Sequence, residues 1–235
     1  MWAIYKREMR SYFTSAIGYI YIATFMAVSG FLFSLYTLQA GAAADIASYF
    51  TILLFMFIIV VPLLTMKLFS EERKMKTEQL LLTAPITLWS MVFAKFLAAY
   101  TMFAGTYLIS CTNYISLYKF GTPNTAILIG NSFGLLFLGA AFIAIGLFIS
   151  AMTENQLVAA ISTMGIILLL VIIGFLNNYI DFLPIRMVLD WISIFSRYSD
   201  FTYGIFNFAS LFYYLSFVVI FLFLTVRIYE RRRWN

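Results

Sequence analysis

Chemistry in this chain has little to work with, and what there is lies in one short run. The 235 residues include no histidine and a single cysteine, Cys111. A Ser-His-Asp triad and a His-ligated metal are therefore excluded, as is an internal disulfide. No Gly-Lys dipeptide occurs, so the chain has no phosphate-binding loop of the G-x-x-x-x-G-K-[ST] type. Titratable groups concentrate between Leu68 and Thr87, where Glu71, Glu72, Arg73, Lys74, Lys76 and Glu78 fall within eight residues. Thr77 and Gln79 complete the polar run. Ser70 is placed to cap a helix there, with Glu71 and Glu72 in the first turn and Pro85 as its stop. Thr87 is placed to cap the helix after it. Glu71, Glu72, Arg73 and Glu78 read as solvated charges on a short helix with no role in the membrane. Such a helix suits transmission of force between a soluble partner and the segments on either side; the plain alternative is a solvated connector.

Those segments are apolar. Hydrophobic residues make up 63% of the chain, charged residues 11%, and the mean hydropathy is +0.95. A bilayer-spanning helix needs about 20 apolar residues at ~1.5 Å rise. Stretches near 17–38, 49–68, 92–117, 126–151, 157–176 and 209–228 meet that requirement. The expected fold is an all-α, polytopic membrane protein with six transmembrane helices in one domain. The first stretch is too long for a signal-peptide core and reads as retained.

Lys and Arg set the expected orientation. Twelve of the fifteen lie at the amino end, between spans two and three, or at the carboxyl end; only Lys119, Arg186 and Arg197 fall on the other side. Both termini are therefore expected in the cytoplasm. The formal charge of +5 is explained by basic residues flanking spans and meeting anionic headgroups, so no nucleic acid is implied.

Residues 2–15 read as an amphipathic interfacial helix, with Trp2, Tyr5, Met9, Tyr12 and Phe13 towards lipid and Lys6, Arg7 and Arg10 away from it. Pro62 lies inside span two and can kink it. Lys67 closes that span and is placed to snorkel to the surface. Gly130 and Gly134 form a G-x-x-x-G pair in span four, read as close packing within the chain. Spans four and five are joined by Thr153-Glu154-Asn155-Gln156. The stretch 177–207 is too long for a turn and too broken for a span. Asp181, Pro184, Arg186, Asp190, Arg197 and Asp200 punctuate apolar residues there, which suggests short re-entrant helices dipping into the outer leaflet.

Four segments, in order, carry a family resemblance covering nearly the whole chain. Ser70-Glu-Glu-Arg…Lys76-Thr-Glu-Gln-Leu-Leu-Leu-Thr-Ala-Pro85 resembles the first cytoplasmic loop of type-2 ATP-binding cassette (ABC) exporter permeases. Arg10-Ser-Tyr-Phe-Thr-Ser-Ala-Ile-Gly-Tyr-Ile20 resembles their entry into span one. Gly146-Leu-Phe-Ile-Ser-Ala-Met-Thr-Glu-Asn-Gln156 resembles the exit of span four. Tyr213-Tyr-Leu-Ser-Phe217 with the Arg-rich tail resembles the last span. The likeness is closest to the bacterial gliding-motility-type branch. Many relatives have Gly before the loop Thr and Glu two residues after it; here those positions hold Lys76 and Gln79, with Glu78 between.

The resemblance implies a permease subunit of an ATP-driven exporter in a bacterial plasma membrane, working by alternating access. It would pair with a second permease, identical or homologous, and with two separate cytoplasmic ATPase subunits that bind ATP and Mg; this chain would hold no cofactor and catalyse nothing. Residues 69–87 would be the coupling helix, with Glu71, Glu72, Arg73, Lys74, Thr77, Glu78 and Gln79. Thr153, Glu154 and Asn155 would form a smaller second contact. Spans two and five would line the pathway, through Thr51, Phe55 and Pro62 on one side and Ser162, Met164 and Ile166 on the other. The rival classes are an ion-coupled secondary transporter, a lipid-acting membrane enzyme and a structural subunit of an envelope assembly. The first two require ionisable residues deep in the spans, and the sequence places the charges near span ends or in loops.

Overall fold

A computed structural model describes residues 1–38, 46–79, 85–120, 123–176, 193–202, 204 and 207–234. The described residues are helical, with no strand among them. In chain order, α1 spans Trp2–Thr14 and α2 spans Ala16–Phe33, continued by a π turn over Ser34–Leu38. Next come α3 (Ile46–Thr65) and α4 (Lys67–Lys74), then α5 (Leu88–Ser110) and α6 (Tyr114–Phe120). The remainder comprises α7 (Thr125–Met152), α8 (Gln156–Leu176), α9 (Ile194–Thr202) and α10 (Phe208–Trp234).

Six helical stretches among the described residues are long and apolar enough to cross a membrane: Ala16–Thr37, Ile46–Lys74, Leu88–Lys119, Thr125–Met152, Gln156–Phe175 and Phe208–Arg233. The all-helical fold with six membrane-length apolar helices expected from hydropathy is thus present. The third begins at Leu88, four residues before the apolar stretch taken from 92, because Thr87 accepts the Ser90 N–H at 3.3 Å and starts the helix there. That shift puts Lys95 two turns inside the helix rather than in its first turn.

The central helix is α7, packed against α3, α4, α5, α8, α9 and α10. Its most apolar window is 78% buried, against 28% for the first span. Small residues permit that density. A Cβ on Gly139 would lie 2.3 Å from the Phe103 ring, and one on Gly146 would lie 2.3 Å from Thr65 Oγ1. Gly130 and Gly134 seat α9: added Cβ atoms would meet the Phe201 carbonyl at 3.1 Å and its side chain at 2.9 Å. The G-x-x-x-G pair therefore serves packing within the chain, as expected. Two buried hydroxyls fix α9 further. Tyr198 donates to Asn131 Oδ1 on α7 at 2.9 Å, and Tyr214 of α10 donates to the Ile194 carbonyl at 2.9 Å.

The helix over α1 is present, but its faces differ from the expected ones. Ile4, Glu8 and Tyr12, at i, i+4 and i+8, are buried. Tyr5 and Met9 pack against the core, whereas Trp2 and Phe13 stay exposed. The inward stripe reflects the docking of α1 onto α5 and α2. The Tyr12 hydroxyl donates to the Leu64 carbonyl at 2.9 Å and ties α1 to the end of α3.

Candidate functional site

The polar loops and helix ends named from the sequence converge at the end of the bundle where α1, α4, the start of α5 and the ends of α7 and α10 meet. The helix α3 continues through Pro62, with the Met66 N–H donating to the Pro62 carbonyl at 2.9 Å. Only a turn at Met66 separates α3 from α4. Ser70 consequently lies inside α4, its hydroxyl bonded back to the Met66 carbonyl, and is not the helix cap expected of it. The capping acceptor comes from another helix. Ser150 Oγ of α7 accepts the Phe69 and Ser70 N–H groups, each at 3.1 Å, and donates to the Met66 carbonyl at 3.0 Å. One hydroxyl thereby ties the first turn of α4 to α7 and satisfies the Phe69 N–H, which precedes the helix's first internal bond.

Lys95 is the hub of this end. It is fully buried, and its Nζ lies 3.0 Å from Glu8 Oε1 and 3.0 Å from Glu72 Oε1. It also donates to the Leu68 carbonyl at 2.5 Å and sits 4.9 Å from the centre of the Phe69 ring. Arg7 pairs with Glu8 at 2.6 Å and also with Glu72. Two cations and two carboxylates from α1, α4 and α5 therefore form a closed, formally neutral cluster. A buried ammonium is tolerable only when so paired. For Glu8 the largest influence is burial, which raises its pKa; Lys95 and Arg7 outweigh it and leave the carboxyl below its ordinary value. Arg7 is partly desolvated, which works against its charge, but Glu8 and Glu72 outweigh this and raise its pKa.

Glu72 is thus not a solvated loop charge, and the same correction applies to its neighbours. Arg73 donates to the Met152 carbonyl at 2.7 Å and pairs with Glu154 at 2.9 Å. Arg232 of α10 donates to the Ala151 carbonyl at 2.7 Å and pairs with Glu78 at 3.1 Å. Two guanidinium groups thereby cap the carboxyl end of α7, where helix carbonyls carry partial negative charge. Each is held in turn by a carboxylate. Lys67 is buried rather than snorkelling: it donates to Ser15 Oγ at 2.9 Å and to the Ser11 carbonyl at 3.4 Å, over the Tyr12 ring.

The remaining candidates are spread along the bundle. Glu71 is half-buried, while Lys74, Thr77 and Gln79 are exposed. Thr153 bonds back to the Ile149 carbonyl at 3.3 Å, and Asn155 Oδ1 accepts the Leu157 N–H at 2.9 Å, starting α8. Of the pathway candidates on α3, Thr51 is half-buried and bonded to Ala47, Phe55 is exposed and stacked on Phe175 of α8, and Pro62 is buried. On α8, Ser162 and Met164 are half-buried and Ile166 is exposed. At the far end, Arg197 lies over the Tyr213 ring at 5.8 Å. Asp200 belongs to α9 with its side chain outside the described residues; Asp181, Pro184, Arg186 and Asp190 lie outside them altogether, as do residues 80–84 of the loop. No cluster of three metal-ligating side chains occurs among the described residues.

Two central groups, Lys95 and Ser150, are absent from the sequence-derived site. A lysine two turns beyond the Thr87 cap requires a counterion, and Glu8, spaced i+4 from Ile4 and i−4 from Tyr12 on an apolar stripe, is the matching signal in α1. Ser150 has no such signal, because its partners are backbone groups of a helix whose start the sequence misplaces. Comparison with protein-family models returns no match, and comparison with curated proteins returns none.

Proposed function

We propose that the chain is the membrane-spanning permease subunit of an ATP-driven exporter of the type-2 ABC class, driven by separate ATPase subunits. The observation that carries this reading is the joining of the two segments expected to meet an ATPase. Arg73 of α4 binds both the carbonyl end of α7 and Glu154 in the 153–156 turn. The two segments therefore form one surface, tied by Ser150 to the end of α3 and by Lys95 to α5. Movement of α4 on a nucleotide-driven partner would be passed directly to three spans. Alternating access needs such a rigid link, with substrate and nucleotide each favouring one state by differential binding.

In this reading both termini and the charged end face the cytoplasm of a bacterial plasma membrane, in keeping with the lysine and arginine bias. Helix α1 lies at that surface with Trp2 and Phe13 at headgroup level. Helix α9 belongs to the re-entrant outer segment. A second permease, identical or homologous, completes the pathway against spans two and five, where Phe55 and Ile166 face outward.

Purification from native membranes in mild detergent tests the reading. The expected result is co-purification of an ATPase subunit recognisable by its phosphate-binding loop, with nucleotide hydrolysis lost when that subunit is stripped away. A chain that purifies without any ATPase, or that hydrolyses ATP alone, overturns it. Single cysteines in a Cys111→Ser background test orientation. One at Lys74 should resist an impermeant thiol reagent in intact cells, and one at Lys119 should label.

A further inference from the structure

Helix α7 presents two different faces near its amino end. One is filled, since Gly130, Asn131 and Gly134 seat α9. The other consists of Leu128, Ile129, Ser132, Phe133 and Leu136, at i, i+1, i+4, i+5 and i+8, and borders a cavity of about 280 Å³. The facing wall is Tyr107, Cys111, Tyr114 and Tyr118, at i, i+4, i+7 and i+11. That wall runs through the 3₁₀ turn Cys111–Asn113, which joins α5 to α6. A 3₁₀ turn inside a long helix often marks a functional position. Small-ligand sites are mostly apolar and run from about 300 Å³ upward. The cavity lies at the small end of that range, which suits one slender chain.

The walls carry no charged side chain, and their hydroxyl protons are committed to the protein. Ser132 donates to the Leu128 carbonyl at 2.7 Å, and Tyr107 donates to Ser132 Oγ at 3.1 Å. A phenol has one proton, so the 3.1 Å contact between the Tyr107 and Tyr114 hydroxyls is donated by Tyr114. Tyr118 donates to Thr125 Oγ1 at 3.4 Å. A phosphate or carboxylate entering the cavity would find neither a cation nor a free hydroxyl proton, and burying it unpaired is costly. A hydrocarbon chain incurs no such cost. The opening sets where that chain comes from. Leu108 and Ile129 at its edge are 60% and 52% exposed, and both belong to helices of membrane-spanning length. In a bilayer that edge meets hydrocarbon and not water.

We propose that the cavity between α5–α6 and α7 binds one acyl chain of a membrane phospholipid, entering sideways from the leaflet at the end of the bundle opposite Lys95. The site is separate from the pathway faces of spans two and five. Its occupancy requires only that the helices cross a bilayer, not that an ATPase drives the chain.

The test places the full chain in nanodiscs containing phosphatidylglycerol with a diazirine at the middle of one acyl chain. Photolysis and peptide mapping should mark Tyr114 and Ser132 about tenfold more than Leu157 and Ile161, which are exposed on α8 and report ordinary boundary lipid. Cys111→Trp adds bulk inside the cavity and Leu108→Trp adds it at the opening. Overfilling should lower occupancy about tenfold, so marking of Ser132 should fall to the α8 level while α8 itself is unchanged. Leu108 is exposed, so its variant decides the matter even where Cys111→Trp does not fold. An unmodified phosphatidylglycerol should compete for the site, and one whose tail ends in a carboxylate should compete about tenfold less well. Equal marking of Ser132 and α8 in the wild-type chain overturns the proposal. So does marking of Ser132 that neither tryptophan lowers, or equal competition by the carboxylate-tailed lipid.

Discussion

Lys95 of α5 and Glu8 of α1 stand 3.0 Å apart, in a pocket where the lysine is fully buried and the carboxylate nearly so. They are 87 residues apart in sequence. Their contact, shared with Glu72 and Arg7, makes the amino-terminal helix a structural part of the loop after span two. The individual attractions matter less than the penalty for losing one partner. A buried pair contributes modestly in total, but an abandoned buried charge costs about 3–5 kcal/mol. Lys95→Met should therefore lower stability by up to that amount, because it leaves the partly exposed Arg7 alone to neutralise both Glu8 and Glu72. Thermal unfolding in detergent reads the effect. Adding Glu8→Gln to Lys95→Met should recover part of the loss, and a double variant no better than the single would contradict the pairing.

The same cluster sets a pH dependence. In the folded chain the Glu8 carboxyl titrates below its ordinary value of 4.5. A carboxyl whose folded pKa is depressed stabilises the fold above its unfolded pKa and loses that contribution as pH falls through the folded value. Wild type should therefore weaken progressively below about pH 4.5. Glu8→Gln should be less stable near neutrality and flatter through the acid range. The unfolding midpoint as a function of pH decides this: parallel acid limbs in the two proteins would exclude Glu8 as a contributor. Arg7 adds nothing in the accessible range, since Glu8 and Glu72 raise the pKa of a guanidinium that is already strongly basic.

Ser150 offers a sharper local test. Its single hydroxyl accepts two N–H groups of α4 and donates to the Met66 carbonyl. Ser150→Ala removes one oxygen, leaves the buried Phe69 N–H unsatisfied and fills no new space. The expected cost is about 1–3 kcal/mol. Hydrogen exchange should localise it, with faster exchange at the Phe69 and Ser70 amides. A uniform change across the bundle, with those two amides still protected, would mean that α4 is capped by something else.

Much of the fold is legible in the chain because the bilayer imposes a length and a composition on every span. The six apolar stretches, the Thr87 cap and the packing role of Gly130 and Gly134 can all be read from local sequence. What is hidden depends on partners far apart in sequence. Ser70 has the residue type of a cap, yet α3 and α4 run almost continuously and the capping oxygen arrives from α7. Lys67 has the position of a snorkelling lysine, yet Ser11 and Ser15 at the end of α1 give it oxygen ligands inside the protein. Glu72, Arg73 and Glu78 look solvated because nothing nearby in sequence reveals Lys95, the end of α7 or Arg232. A sequence displays charges, but their neutralisation is a tertiary property.

The corner between α1 and α2 yields the last prediction. The helices meet at Ser15, and Gly18 then passes under the end of α1. A Cβ built on Gly18 would lie 2.1 Å from the Tyr12 carbonyl oxygen and 2.8 Å from its carbonyl carbon. Both are backbone atoms, so no side-chain rotation relieves the overlap. Tyr12 cannot retreat freely, because its hydroxyl is held by the Leu64 carbonyl and its ring carries Lys67. Gly18→Ala should therefore cost about 3 kcal/mol or more, at the upper end for overpacking. Gly165 in α8 is the matched control, since a Cβ there meets nothing within 4 Å. Gly165→Ala should instead gain up to about 1 kcal/mol from helix propensity. The same substitution at two helical glycines should thus move the unfolding temperature in opposite directions. The loss at Gly18 should be accompanied by faster proteolysis between α1 and α2. If the two variants unfold together, the close approach of Gly18 to Tyr12 is not a constraint on this protein.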